Sequence, residues 1–456
     1  MRRELPRCIG FWGGSAIMVG IIIGSGIFRT PASIADEMGN PGIILLMWLV
    51  GGLLSLFGAF TYAELGVMFP RSGGIYVYLY EGLGEVVAFI FGWTFMFLGK
   101  PLAAASITMV FSEHLNRLLG VDWDPRYATC AVLILFTAIN TAKVQLGAGM
   151  AIVFTGLKVL ALILIVMLGL GMTASNYTNL APVPAPKSLL FALAPVLAAV
   201  LWTYDGWSDV ASCAGEVRDP QRNLPRILVF GTGACIILYL AVNTVYMAIV
   251  PLEEMRHVEK TVAPLVMERL VGGAGDTLVT LIVLISTLGA THGSIITGAR
   301  VTFAQAHDGL LFKSLARVHP TWHTPDVSLW VQALMSCIGV MALGRFERMI
   351  NGFVFTMWIF YALAAAAVII LRIRRPELPR PYRCWGYPFV PIAFILATAF
   401  MTVLSIRENP RDTLIWLGVL AAGVPTYYVW RRFVPKEEAA AAAEIELQPL
   451  DTKTVN

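Results

Sequence analysis

The sequence predicts an all-α polytopic membrane protein with twelve transmembrane helices, and three observations carry that prediction. Of 456 residues, 57% are apolar, and the mean hydropathy is +0.72. Only 14% are charged, against roughly 25% in an ordinary soluble domain. Apolar stretches of about 20 residues, the length that crosses a bilayer, recur about twelve times. No soluble core of this chain length needs so much apolar material, so a soluble enzyme, a disordered chain and a nucleic-acid binder are excluded. The formal charge of +4 carries information only once it is divided between two membrane faces.

In chain order the spans are expected at 9–38, 42–69, 83–111, 127–145, 149–172, 189–214, 224–250, 276–304, 326–345, 349–372, 388–406 and 411–432. The first starts at Ile9 behind a short basic leader, residues 1–8. It is too long for a signal-peptide core and has no small-residue cleavage site before Phe28, so it is expected to be retained. Connections are short, and the longest, 251–275, carries Glu253, Glu254, Glu259 and Glu268. After residue 433 the chain is Ala/Glu-rich and then polar, and 434–456 is expected as a cytoplasmic tail. An even number of spans puts both termini on one face. With that face cytoplasmic, about 20 of the 33 Lys+Arg fall inside, about 11 outside, and Lys100 and Lys158 within spans, as the positive-inside bias requires. The inner loops include the basic cluster at 372–383. Cys8, Cys130, Cys213, Cys235, Cys337 and Cys384 lie in apolar runs or on basic flanks, no two in metal-ligand spacing, so neither a disulfide framework nor a metal site is expected.

Two spans are expected to break. Span 1 reads Gly20-Ile-Ile-Ile-Gly24-Ser25-Gly26-Ile27-Phe28, and glycines flanking a serine lower the cost of unwinding. Unwound backbone in a bilayer must be buried in protein or line a cavity; taken alone, the same residues also suit close helix packing. Span 6 reads Leu201-Trp202-Thr203-Tyr204-Asp205-Gly206-Trp207-Ser208-Asp209. A charge at mid-membrane costs about 2.5–3.5 kcal/mol on insertion scales, so Asp205 needs a cavity or a partner. Interrupted segments at matching places in two halves point to a transporter built from inverted repeats. The halves are 9–172 and 189–372, five spans each, with the helices of 388–432 added. Half-helix N-termini facing a carboxylate and freed carbonyls facing an ammonium would suit a zwitterion.

These residues resemble the amino acid–polyamine–organocation (APC) superfamily. Ile23-Gly-Ser-Gly-Ile-Phe28 with Thr30-Pro31 carries the superfamily pattern. Tyr62-Ala-Glu-Leu-Gly66, Pro70-Arg-Ser-Gly-Gly74 with Tyr76 and Tyr78, Trp202 to Trp207, Asp219-Pro-Gln-Arg-Asn-Leu-Pro225, and Leu371-Arg372 with Arg375-Pro-Glu-Leu378 and Arg380-Pro381 look like its L-type amino acid transporter (LAT) branch. The motifs run in family order from about Ile9 to Phe433. The resemblance implies a five-plus-five inverted-repeat fold with discontinuous helices 1 and 6. It also implies an amino acid transporter in the cell inner membrane, of the stand-alone, prokaryotic type given the absence of a cysteine at 112–126.

Carried over by position, the resemblance assigns Ser25 and Gly26 to the substrate carboxylate and the carbonyls of Ile22, Trp202 and Asp205 to its ammonium. Trp202 is implied as an aromatic gate, and Phe353 and Trp358 as lining or backing a side-chain pocket. Lys158 matches a lysine that stands where sodium sits in sodium-coupled relatives, with span 8 hydroxyls such as Ser294 or Thr297 as its expected partners. Gly99 and Ala103 stand where larger or polar residues often approach the substrate. His292-Gly293 replaces the usual Asn-Gly of span 8, and His292 is either a titrating group or a hydrogen-bonded structural histidine. Lys100, ahead of Pro101, is read as support for a helix kink rather than as a substrate contact. Glu64 is read as a partner of inner-loop arginines. Asp205 either pairs with cationic substrates or holds the span 6 break, and members with the same Tyr-Asp-Gly-Trp run carry neutral ones. The animal members join a heavy subunit through a cysteine between spans 3 and 4. Residues 112–126 hold no cysteine, so no disulfide-linked heavy subunit is expected.

No nucleophile, base and orienting acid come together outside the spans, and no Walker-type motif is present. The expected activity is therefore not enzymatic. The sequence reads as a sodium-independent exchanger of neutral L-amino acids working by alternating access, without a cofactor. Proton-coupled import, with Lys158, Asp205 or His292 titrating, and transport of cationic amino acids are the alternatives; a non-transporting sensor is the remote one.

Overall fold

The computed structural model describes residues 5–142, 144–173, 177–184, 189–258, 261–408 and 410–433. The tail expected at 434–456 and residues 1–4 of the leader lie outside them. Helix occupies each of the twelve expected ranges, and among the described residues nine helices are long and apolar enough to cross a membrane. No β-strand occurs among the described residues; a single parallel bridge joins Ile9 to Val217.

Span 1 is two helices, α1 (Phe11–Ile22) and α2 (Gly26–Glu37), separated by Ile23–Ser25. Span 2 is α3 (Pro41–Met68), started by Asn40, whose side chain accepts from the Gly42 and Ile43 amides at 2.9 and 3.3 Å, with Pro41 opening the first turn. A short helix that the apolar pattern did not announce, α4 (Ile75–Leu83), follows. Span 3 is α5 (Glu85–Thr94), a wide π turn at Phe95–Gly99, and α6 (Lys100–Leu119), which stops at left-handed Gly120, φ 64°. The π turn falls just ahead of Pro101, which cannot donate to the preceding turn.

Spans 4 and 5 are α7 (Pro125–Ala142) and α8 (Val144–Thr173). Span 6 is α9 (Leu189–Tyr204), a turn, and a 3-10 segment at Asp209–Glu216. Span 7 is α10 (Pro220–Ile249). The acidic connection folds into α11 (Leu252–Arg256) and α12 (Ala263–Val271), and α11 packs on α2. The remaining helices are α13 (Gly275–His307), α14 (Asp326–Leu343), α15 (Phe346–Arg374), α16 (Phe389–Glu408) and α17 (Pro410–Phe433).

The broken helices are central. α1 lies against α8, α10 and α13, while α2 lies against α9; α3 with α10, and α6 with α13, flank them. Outward-facing apolar side chains such as Leu160, Leu164 and Met167 on α8 stay more than half exposed. Such a stripe suits lipid contact in a chain of this composition.

Glu64 pairs with Arg372 and Arg380, arginines the sequence assigned to loops on its side of the membrane. Fully buried on α3, it accepts from Arg372 at 2.9 and 2.6 Å and from the Cys384 amide at 2.7 Å, with Arg380 at 3.5 Å. The same face is closed by Glu216, which receives Arg300 at 2.8 and 3.2 Å and whose carbonyl accepts the Ile9 amide at 2.8 Å. All six cysteines are free.

Candidate functional site

Both expected breaks are present and they meet. Gly206, φ 106°, turns the chain after α9, and a Cβ there would lie 2.6 Å from Ile21 Cγ2 and 3.2 Å from the Ile22 amide. Glycine is needed for the backbone angle and for the approach alike. Gly26 lets α2 touch α9 in the same way, since a Cβ would sit 2.8 Å from Thr203 Oγ1.

Between the breaks lies a cavity lined by Ile22, Gly24, Ser25 and Gly26 of span 1, Trp202, Thr203 and Asp205 of span 6, Lys100, Ala103 and Ile107 of α6, and Ser294 of α13. Its free volume, about 30 Å³, is room for little more than water and far below the roughly 300 Å³ of an ordinary small-molecule site. The space as it stands is too small for an amino acid. Ser25 Oγ and Ser294 Oγ are buried there with no hydrogen-bond partner, and such groups cost about 1–3 kcal/mol each when left unmet.

The structure brings Ile22, Ser25, Gly26, Trp202, Asp205 and Ser294 together as a lining. Phe353 stands behind them, its ring edge-on to Trp202 at 5.4 Å, and it lines a neighbouring hollow with Lys100, Ser208, Asp209 and Tyr361. Gly99 is not among the lining residues. It ends the π turn and faces Met357 Sδ, because the wider turn rotates it away, while Ala103 one turn on reaches the cavity. Asp205 accepts from Tyr361 Oη at 2.8 Å, which agrees with a role in holding the break.

Lys158, 1% exposed, donates to the carbonyls of Gly20 at 2.6 Å and Ile23 at 2.9 Å. These oxygens are left without amide donors where α1 ends. The expected hydroxyl partners differ. Ser294 points into the cavity and Thr297 donates to Gly293 of its own helix, whereas Ser286, two turns earlier on α13, donates to Ile23 at 3.0 Å and Gly24 at 3.2 Å. The cause is depth: Lys158 stands level with the start of the break. Gly289 leaves room for it, since a Cβ there would lie 2.9 Å from Lys158 Cε.

Tyr239 on α10 was not found from the sequence, where it is one tyrosine in an apolar run. Its hydroxyl lies 2.7 Å from the Ile22 carbonyl and 3.3 Å from that of Thr203, so one donor joins both breaks. Trp48 packs edge-on against its ring at 5.7 Å, and the Tyr204 ring lies tilted to it at 5.1 Å. His292 is fully buried away from the cavity lining, with Asn140 Nδ2 3.1 Å from Nδ1 and Phe136 edge-on, which is the structural reading. Lys100 pairs with Asp209, beyond the kink role expected of it. Among the described residues no cluster could hold a metal.

Residues 9–424 match the amino acid permease family model. The b(0,+)-type amino acid transporter 1 of Mus musculus is 30% identical over 438 residues, 94% of this chain and 88% of that protein. Large neutral amino acids transporter small subunit 2 of Homo sapiens is 31% identical over 440 residues, 93% and 80% of the two chains. Asc-type amino acid transporter 1 of Mus musculus is 29% identical over 449 residues, 94% and 83%. Paired helix breaks around a small, partly polar cavity and end-to-end similarity together make this chain a multi-pass member of the amino acid permease family, in its L-type branch, and so an amino acid transporter rather than an enzyme.

Proposed function

We propose that the protein exchanges neutral L-amino acids without sodium, by alternating access at the paired breaks. Lys158 carries this reading. Its ammonium fixes the Gly20 and Ile23 carbonyls at 2.6 and 2.9 Å, the work a bound cation would do, and being covalent it does not leave. The substrate carboxylate is assigned to Ser25 and the amides at the start of α2, where a helix N-terminus favours negative charge. Its ammonium is assigned to the Ile22, Trp202 and Asp205 carbonyls. The Ile22 carbonyl also takes the Tyr239 hydroxyl, and a carbonyl oxygen has two lone pairs. Trp202 against Phe353 is assigned as the gate.

The printed names of the relatives, one of them a transporter of large neutral amino acids, support a neutral substrate. The inverted halves 9–172 and 189–372, cytoplasmic termini, placement in the cell's inner membrane and function without a disulfide-linked heavy subunit belong to the same proposal. That relative is named a small subunit; against such a partner here stands the lack of any cysteine at 112–126.

Uptake of labelled amino acid into sodium-free proteoliposomes, loaded with amino acid or empty, tests the reading. Uptake confined to loaded vesicles is expected. Equal uptake into empty vesicles driven by an inward proton gradient would replace exchange by proton coupling.

A further inference from the structure

Several polar groups in the cavity have bonding capacity left over, Asp205 and three others. Ser25 Oγ is accounted for by the substrate carboxylate, on the reading above. Ser294 Oγ, 1% exposed, has no partner, and nothing in that reading uses it. Lys100 is 3% exposed, and among the described residues its ammonium donates only to Asp209. An ammonium has three donors, so two remain.

Lys100 and Ser294 stand on packed neighbours, α6 and α13. Gly298, one turn on from Ser294, leaves the space that the Lys100 stem fills. With Asp209 the lysine is neutral as a pair, so the cavity floor offers donors without net charge. Ala103, Ile107 and Trp202 supply the apolar part of the lining.

We propose that Lys100 and Ser294 form a side-chain subsite that reads a hydrogen-bonding oxygen on a short substrate side chain. The preferred substrates are then amino acids carrying a hydroxyl or carboxamide, not their isosteric hydrocarbon counterparts. A hydrocarbon side chain leaves the buried ammonium and hydroxyl unmet, which is the stronger source of discrimination. This rests on the cavity being the substrate site.

The experiment compares transport of threonine with valine, and of serine with 2-aminobutyrate, by reconstituted full-length protein. Wild type is expected to favour the oxygen-bearing partner by at least about tenfold. Ser294→Ala, a small change at a helical position, is expected to lower that ratio several-fold. Lys100→Gln, which keeps amide donors, is expected to retain part of the preference, and Lys100→Met to lose it. A wild-type ratio near one, or a ratio unmoved by Ser294→Ala, overturns the proposal even if the lysine variants fail to fold. Gly26→Val separates the two readings by narrowing the cavity. If it leaves uptake intact, the cavity is not the site and both fall; if it abolishes uptake while the ratio ignores Ser294→Ala, only the subsite falls.

Discussion

Removing the Lys158 ammonium leaves the Gly20 carbonyl without a donor, while Ser286 still reaches Ile23. Lys158→Met is therefore expected to cost about 1–3 kcal/mol of stability and to lower exchange by at least about tenfold, since that much binding energy corresponds to such a factor. Thermal unfolding in detergent and vesicle uptake check both. At Gly26 the effect is steric. A valine Cβ would crowd Thr203, 2.8 Å to Oγ1 and 3.0 Å to backbone Cα, so the two breaks must part. A displacement of about 1 Å in a positioned site can cost about 100-fold in rate, and Gly26→Val is expected to lose uptake on that scale with the protein still folded. If it transports normally, the breaks do not hold the substrate.

At the scale of elements, α10 acts through one hydroxyl. Tyr239→Phe is expected to destabilise by about 1 kcal/mol and to slow uptake, because the Ile22 and Thr203 carbonyls lose their common donor. Tyr246, two turns on along the same helix, is buried with its hydroxyl unpartnered. Tyr246→Phe is the control, expected to leave uptake unchanged; equal effects in the two variants would remove the cross-link from the account. The sequence made the breaks legible because glycine and a mid-span aspartate violate what an intact apolar helix tolerates. Tyr239 and Ser286 violate nothing: a lone tyrosine or serine in a span is ordinary, and only helix packing shows whose carbonyl it meets. Gly99 failed for a related reason. A π turn shifts the facing of every later residue, and no residue pattern in Phe95–Gly99 announces it.

Across the whole molecule, and apart from Lys158 and the Lys100–Asp209 pair at the breaks, ion pairs cluster on the face where Glu64 and Glu216 lie. Glu216–Arg300, Glu64 with Arg372 and Arg380, and Glu85–Arg431 close it. On the opposite face Arg29 lies over the Phe346 ring and 3.6 Å from Glu113, both partly exposed. Arg300→Met is expected to cost about 3–5 kcal/mol, by leaving Glu216 buried and unpaired, and adding Glu216→Leu to restore most of it. Unfolding of the single and double variants decides this. At the end of α13, burial pushes the Asp308 carboxyl up, but the His307 hydrogen bond and the Arg71 guanidinium outweigh it and hold it below the usual value of 3.8. A lowered native value stabilises above the unfolded pKa and is lost as pH falls through the native one. Asp308→Asn is therefore expected to destabilise at neutral pH, with the difference from wild type vanishing well below pH 3.8. That the chain is an all-helical polytopic membrane protein was legible from apolar length alone. The ion pairs were legible only as unpaired charges near span ends, because pairing depends on which helices the breaks bring together.

Lys158 as a permanent occupant of a cation site is the claim on which the rest depends. Equilibrium binding of a labelled neutral amino acid to the purified transporter, with sodium fully replaced by potassium, tests it most directly. Saturable binding that sodium leaves unchanged is the predicted result. Binding that appears only when sodium is added would contradict it.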